Sequence, residues 1–461
     1  MAELEEQLGQ AQAENAALKA ESAQLKQRIA EFERAAKRQA TPFARDEPKA
    51  EPKRPGRKAG HGLFSYRARP TPDEVDETKA ARWDRCPECG GAVTDVKAHE
   101  QFVIDLPEVR PQLTRSVTES GYCSRCGRRG RARQPEQIAA ARGAAGRRMG
   151  PRAKALAADL KPRVGVPFAK VCAGLEVGFW LRWPRSGACQ AEARLAAPAR
   201  AVYQELIGLI RHCAVAHADE TGGRIGTLAA WRWVFTTRQA TVYPIKERRG
   251  HDVVVEILGQ EFAGILVSDC FWASEHRELA EWLKPKCLGH LLKDLRQREA
   301  EKTRGAVRFA QAGRAVLRTA LGLREQKLQL SPAAFAAQAA KIAHRLERLI
   351  DEKRRLTDPD NIGRAKRRRT QREHWLRFLY VEGLDATNNQ AERMLRPAVI
   401  TRKTSGCNRT EGGAEAHAIL ASIVVTCRQR ALSTVDFLIR LQRAAGRAIP
   451  SVVPAPPLDT S

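Results

Sequence analysis

Cys213-Ala-Val-Ala-His-Ala-Asp-Glu-Thr-Gly-Gly223 joins a short apolar run to an acid, Asp219, and then to two glycines. An apolar run followed by Gly-Gly reads as a buried strand giving way to a turn, with the Asp219 carboxylate at the junction. The same arrangement recurs in Gly264-Ile-Leu-Val-Ser-Asp269, where Asp269 follows an apolar run and precedes an amphipathic stretch. Between the two lie strand-like pieces at Leu228–Thr236 and Ala240–Ile245 and a helix-like piece at Asp252–Leu258. Strands that end alike and lie side by side put two carboxylates at one edge of a sheet, where open α/β sheets build their sites. Two unpaired anions held close either share a proton or bind a cation, usually a divalent metal.

Farther along, Leu384-Asp-Ala-Thr-Asn-Asn-Gln-Ala-Glu-Arg-Met-Leu-Arg-Pro397 offers Asn388 as a helix cap. Glu392 then falls in the first turn of that helix, with Arg393 and Arg396 around it. Taken in order, several segments resemble the transposases of IS66-type insertion elements, an Asp-Asp-Glu family with a ribonuclease-H-like core. They are His217-Ala-Asp-Glu-Thr221, Trp231-Arg-Trp-Val234, Val267-Ser-Asp269, Cys287-Leu-Gly-His290, Asn388-Asn-Gln-Ala-Glu-Arg393 and Arg402-Lys403. The likeness runs along nearly the whole chain. It implies that Asp219, Asp269 and Glu392 are catalytic acids holding two Mg²⁺ ions, with Mn²⁺ as a substitute. The reaction it implies is cleavage of the element's ends and strand transfer into target DNA. Its implied partners are the terminal inverted repeats, target DNA and accessory proteins encoded by the element. Glu220 stands beside the first acid as a group to orient a bound water or a neighbour, and Asp385 is the competing third acid.

Composition agrees with a nucleic-acid partner. The 461 residues carry 80 Lys and Arg against 53 Asp and Glu, a net charge of +27. Such an excess calls for a polyanion, and nucleic acid is the commoner one. A membrane is the rival, but no apolar run approaches the ~20 residues of a spanning helix, and Ala418–Cys427 reads as a core helix. Eleven cysteines, four of them in Cys-x-x-Cys pairs, suit metal binding and free thiols in a reducing compartment. The chain opens on charged heptads rather than a leader peptide, so a cytoplasmic, nucleoid-associated location is expected.

The expected architecture is multidomain α/β. Residues 1–39 carry heptads, with Met1, Leu8, Asn15, Ser22 and Ile29 at one core position and Leu4, Ala11, Leu18, Leu25 and Phe32 at the other. Attractive flanking charges and a buried Asn15 point to a parallel coiled-coil homodimer. Residues 40–80 are a basic Pro/Gly-rich linker in which Arg57 and Lys58 are candidate DNA contacts. Within 81–135, Cys86-Pro-Glu-Cys89 and Cys123-Ser-Arg-Cys126 form a zinc ribbon, a four-thiolate site for one structural Zn²⁺, with each pair followed by a glycine. Strands at Gln101–Leu106 and Arg115–Ser120 are expected to bring the pairs together, and Arg125, Arg128 and Arg129 to touch DNA. Residues 136–210 are helical, a DNA reader or a scaffold, with helix starts at Pro151, Pro167 and Pro198. The catalytic core occupies 211–299 and resumes over 376–443, interrupted by a helical insertion at 300–375 whose main helices are Ala306–Leu321 and Pro332–Leu356. The insertion's basic run includes Arg367 and Arg368 as candidate phosphate contacts, joined by Arg393, Arg396, Arg402 and Lys403 from the second part of the core. Residues 444–461 form an irregular tail.

Cys287 and His290, one helical turn apart, are either half a metal site or a packed positioning element. Two other functions compete with transposition. One is a non-catalytic, zinc-dependent, dimeric DNA-binding protein derived from a mobile element; the other is a repair or junction nuclease on the same fold.

Overall fold

The structure, a computed structural model, describes residues 68–132, 147–269, 279, 282–351, 356–370, 372–444 and 450–452, with four positions between 15 and 22. Those four, Asn15, Leu18, Glu21 and Ser22, are helical and exposed, Leu18 by 58%. The rest of the expected coiled coil, Arg57, Lys58, most of the basic linker and nearly all of the tail lie outside the described residues, as do the side chains of Arg367 and Arg368. The chain divides into two units, residues 1–110 and 111–461.

In the first unit, Arg85 bridges Ala92 across the Cys86–Cys89 turn. The second unit opens on a short antiparallel ribbon, β1 (Ser120–Tyr122) with β2 (Arg129–Arg131), which frames Cys123 and Cys126. The strands expected at Gln101–Leu106 and Arg115–Ser120 do not form; residues 99–119 are irregular and only Ser120 enters the ribbon. Their β-branched and apolar residues have no surface to pack on: Val103, Ile104 and Leu106 are largely exposed. Strand propensity expresses fit to a half-buried pleated surface, and without one it decides little.

Three helices follow, α1 (Pro151–Leu160), α2 (Phe168–Phe179) and α3 (Arg185–Arg211), with a π turn over Lys161–Gly165 after the first. Pro151 starts α1 as expected, since a proline at the first turn removes only a donor that has no partner. Pro198 does not start a helix; it sits inside the 27-residue α3. The apolar stripe Leu195, Ala199, Val202, Leu206 and Ile210 is buried along the helix, and that packing outweighs the hydrogen bond the proline deletes.

The sheet is mixed. β3 (Val215–Ile225) pairs antiparallel with β4 (Leu228–Thr236), which pairs with β5 (Thr241–Val242) and β6 (Ile245–Lys246). On its other side β3 runs parallel to β7 (Ile265–Val267), Val215 opposite Ile265 and His217 opposite Val267. Residues 283–286 extend the sheet beyond β7 through bridges Ile265–Leu283 and Ser268–Lys286. The helix α4 (His251–Leu258) connects β6 to β7. Gly222-Gly223 is not the turn: both glycines stay in register opposite Trp231 and Ala230, and the chain reverses at Gly226-Thr227, where Gly226 takes φ +60°. Asp219 is therefore a mid-strand residue rather than a strand-end one.

Alternation along β3 separates two cores. Ala216 and Ala218 pack with α3, α4, α12 (Glu411–Gln429) and α13 (Thr434–Arg443), while Val215 packs on the second core. That second core belongs to a helical stretch that contains the expected insertion. Its helices are α5 (Leu288–Glu301), α6 (Val307–Glu325), α7 (Pro332–Ile350), α8 (Pro359–Thr370), α9 (Arg372–Trp375) and α10 (Arg377–Tyr380), and its buried side chains include Leu288, Leu295, Leu317, Phe335, Ile342 and Phe378. The helix α11 (Asn389–Ser405) lies against β3 and β4. The run Ala418–Cys427 is buried inside α12, and among the described residues no helix is long and apolar enough to cross a membrane.

Candidate active site

β3, the end of β7 and the start of α11 each deliver one acid. Asp219 pairs with Val234 of β4, and its Oδ1 accepts a hydrogen bond from the Glu220 amide at 2.8 Å. Asp269 closely follows β7, and Glu392 stands in the first turn of α11, its amide donating to the Asn388 carbonyl at 3.1 Å. Burial raises the Asp219 carboxyl to about 7, and the charges of Glu220, Asp269 and Glu392 add to it. Asp219 thus lies within electrostatic reach of two acids far from it in sequence. Asp385 is exposed in the loop before α11, and its charge acts on His217.

Asn388 holds this arrangement together, though not in the way a cap would. Its side chain makes no capping bond to α11. Instead Nδ2 donates to the Ala218 carbonyl at 2.8 Å, Oδ1 lies 3.3 Å from His217 Nδ1, and the backbone amide donates to Cys287 Sγ at 3.2 Å. Leu288 N donates to the Ala386 carbonyl beside it. One buried residue thus ties β3, the start of α5 and the start of α11. Burial also lowers the His217 pKa, against the opposing hydrogen bond with Asn388.

Glu220 is engaged by a clamp: Arg249 Nη2 and Nε donate to its Oε1 at 2.7 and 3.2 Å, while the guanidinium stacks 4.1 Å from the Trp231 ring. Burial raises the Glu220 pKa and Arg249 opposes that. Nothing in the sequence marks this clamp, because Arg249 belongs to a loop whose register against β3 only the sheet reveals.

Cys287 and His290 meet Glu392. His290 Nδ1 is 3.8 Å from Glu392 Oε1, and ligand atoms of Cys287, His290 and Glu392 all fall within 4.8 Å of one another. Burial pushes the Cys287 thiol up, but hydrogen bonds from His290 and the Asn388 amide outweigh it and the net shift is downward. Its bond with Cys287 in turn raises His290 to about 9, with further help from the charges of Asp269 and Glu392.

The candidate DNA contacts divide. Arg393, Arg396 and Lys403 are exposed on α11, and Arg125, Arg128 and Arg129 on the ribbon. Arg402 is instead turned inward, donating to Thr221 Oγ1 at 2.9 Å and to the Gly222 carbonyl, so it braces α11 on β3.

Each cysteine pair forms the same turn. Cys86 N donates to Gly91 O and Gly90 N to Cys86 O; Cys123 N donates to Arg128 O and Gly127 N to Cys123 O. Gly90 and Gly127 sit at φ +71° and +66°, a conformation that glycine adopts without strain. The amides of Cys89 and Glu88 lower the Cys86 thiol, and those of Cys126 and Arg125 lower Cys123. Turns that aim amides at sulfur suit thiolate ligands.

No curated protein matches the chain. A family model described as Transposase IS66 family matches residues 146–416, a span that holds all three acids, Asn388 and the Cys287–His290 pair. With more than half of its length inside that match, the chain belongs to the IS66 family of transposases.

Proposed function

We propose that the chain is a Mg²⁺-dependent transposase that cuts the ends of its insertion element and joins them to target DNA, with Asp219, Asp269 and Glu392 as the catalytic acids. What carries this reading is that Asp219, on β3, lies within electrostatic reach of both Asp269 and Glu392, which follow β7 and open α11. The sheet order, antiparallel β5, β4 and β3 followed by the parallel β7 and the parallel bridges of residues 283–286, supports a ribonuclease-H-like core with one acid on β3 and one just past the end of β7.

Asp219, Asp269 and Glu392 offer only carboxylate oxygens, a donor set that fits hard Mg²⁺ or Mn²⁺ and poorly fits softer ions. Bound there, divalent metal supplies Lewis acidity to the attacking water or 3′-hydroxyl and to the leaving oxygen. The chain's own residues then do the positioning. Asp219 stands on a paired strand and Asp269 two residues past the end of its parallel neighbour, and Asn388 fixes where the third enters. Arg249 clamps Glu220, which leaves Glu220 to shape the field around Asp219 rather than to bind substrate. Arg393 and Arg396, exposed beside Glu392, meet phosphates of the bound strand.

The cysteine pairs at 86/89 and 123/126 hold one structural Zn²⁺ in this reading, and the heptads of 1–39 join two copies. Terminal repeats and target DNA are the substrates, with Arg57, Lys58, Arg125, Arg128, Arg129, Arg367, Arg368 and Lys403 as further phosphate contacts.

The test is cleavage of DNA carrying the flanking element ends by purified protein with Mg²⁺. Asp219→Asn, Asp269→Asn and Glu392→Gln are each expected to abolish cleavage while leaving end binding intact, because the charge is lost at constant shape. Retained cleavage in any one removes that residue from the set. Wild-type protein that binds ends but never cuts them leaves the DNA-binding reading.

A further inference from the structure

Glu392 faces two kinds of partner. Its charge reaches Asp219, and its carboxylate also meets Cys287 Sγ and a ring nitrogen of His290, with all three ligand atoms of the Cys287–His290–Glu392 group inside 4.8 Å. Among the described residues this is the one cluster of three His, Cys, Asp or Glu side chains so arranged. A thiolate, an imidazole and a carboxylate are the ligands of borderline-soft ions such as Zn²⁺, and Mg²⁺ has no use for the first.

We propose that Cys287, His290 and Glu392 form a binding site for Zn²⁺ or a similar soft divalent ion, and that its occupation switches DNA cleavage off by withdrawing Glu392 from the acid cluster. The proposal rests on the reading of Glu392 as the third catalytic acid.

The framework is built for such a site. Cys287 is 1% exposed and stands at the N-terminal cap position of α5, while the edge of the sheet holds it through the bond of its amide to the Ser268 carbonyl. The Asn388 amide donates to its sulfur, the kind of support that metal-bound thiolates receive from their surroundings. His290 follows one turn later on the same helix, which fixes the spacing of two ligands independently of the third. His290 and Glu392 side chains are 45% and 38% exposed, so an ion has a way in and a solvent-facing fourth position remains open. One carboxylate cannot serve both clusters in full, because each oxygen that turns to the soft ion leaves the hard one. Soft and hard metals therefore compete for Glu392.

Metal content and cleavage test this separately. Full-length protein is equilibrated with excess Zn²⁺, desalted and assayed for zinc per chain, alongside Cys287→Ser and His290→Ala. Wild type is expected to retain one equivalent more than either variant, and Co²⁺ in place of Zn²⁺ to give thiolate charge-transfer absorption that exceeds that of Cys287→Ser by the share of one thiolate, the cysteine pairs at 86/89 and 123/126 supplying the rest in both. In Mg²⁺-supported cleavage, Zn²⁺ is expected to inhibit wild type, with recovery on chelation. Each variant, measured against its own zinc-free rate, should need at least about tenfold more Zn²⁺ for the same inhibition. Equal zinc content in wild type and folded variants overturns the site. If circular dichroism shows both variants unfolded, X-ray absorption on zinc-loaded wild type decides: zinc bound only by four sulfurs overturns the proposal, and a second environment with nitrogen and oxygen supports it. A chain that binds the extra zinc but never cuts DNA with Mg²⁺ keeps the site and sinks the catalytic reading beneath it.

Discussion

Asp219 titrates near 7 because β3 buries it and three further carboxylates add their charge. A carboxyl whose folded pKa lies above its unfolded value binds more protons folded than unfolded between the two. Stability of the metal-free protein should therefore fall as pH rises from about 4 to about 7, and stay level above that as far as this group is concerned. A carboxyl carried from 3.8 to about 7 is worth at most about 4 kcal/mol at pH 8. Thermal unfolding in EDTA should show Asp219→Asn stabilised over wild type at pH 8 and much less so at pH 5. An offset equal at both values would mean an ordinary, solvated carboxyl. Mg²⁺ should reverse the trend, since it takes the ionised form. Asp219 and Asp269 stand out in the sequence because each follows an apolar run that reads as a buried strand. Asn388 and Arg402 escape such reading for a common reason. Local rules offer a helix cap and a phosphate contact, and partners far away in sequence, the Ala218 carbonyl and the Thr221–Gly222 pair, claim both side chains.

At the scale of elements, α11 matters most, because it carries Glu392 and has to be seated against β3 for that acid to reach the other two. Asn388 and Arg402 pin its two ends to one strand, Asn388 at Ala218 and Arg402 at Thr221 and Gly222. Asn388→Ala leaves the Ala218 carbonyl without that donor and frees the start of the helix. The expected stability loss is about 1–3 kcal/mol. Mg²⁺-dependent cleavage should fall further than unfolding explains, since a displacement of about 1 Å at a catalytic group can cost ~100-fold. Urea unfolding and cleavage rates on the same preparation check this; a variant as stable and as active as wild type would show that Asn388 does not seat the helix. Element type is mostly legible in the sequence: β4, α1 and α4 fall close to their expected bounds because each has a clear period and clear punctuation. Boundaries fail where a single residue is made to speak for its neighbourhood. Pro198 signals a helix start and Gly222-Gly223 a turn, yet α3 runs through the first and the β3–β4 register through the second.

For the whole molecule, the excess of 27 positive charges has to be matched to a partner. Some of the cations are engaged internally: Lys161 pairs with buried Glu192 at 2.7 Å, Arg163 with Asp159 at 2.5 Å, and Arg249 with Glu220. Cations so engaged cannot release counterions from DNA, so in the proposed reading the DNA contacts come from the exposed remainder, among them Arg125, Arg128, Arg393, Arg396 and Lys403. Affinity for element-end DNA should then fall steeply with salt. Some 6–10 phosphate contacts would lower it by about 10³–10⁵ between 50 and 200 mM salt. Removing Arg393 and Arg396 together should flatten the slope of log affinity against log salt by roughly two, whereas Asp219→Asn should leave the slope unchanged. Arg402→Ala separates the two roles an arginine can have here. As an internal brace it should reduce stability and hardly alter the slope, and a full unit of slope lost without loss of stability would return Arg402 to the DNA-facing set. Composition reveals the partner's sign and scale but not which cations meet it, because that depends on which carboxylates the folded chain brings to each of them.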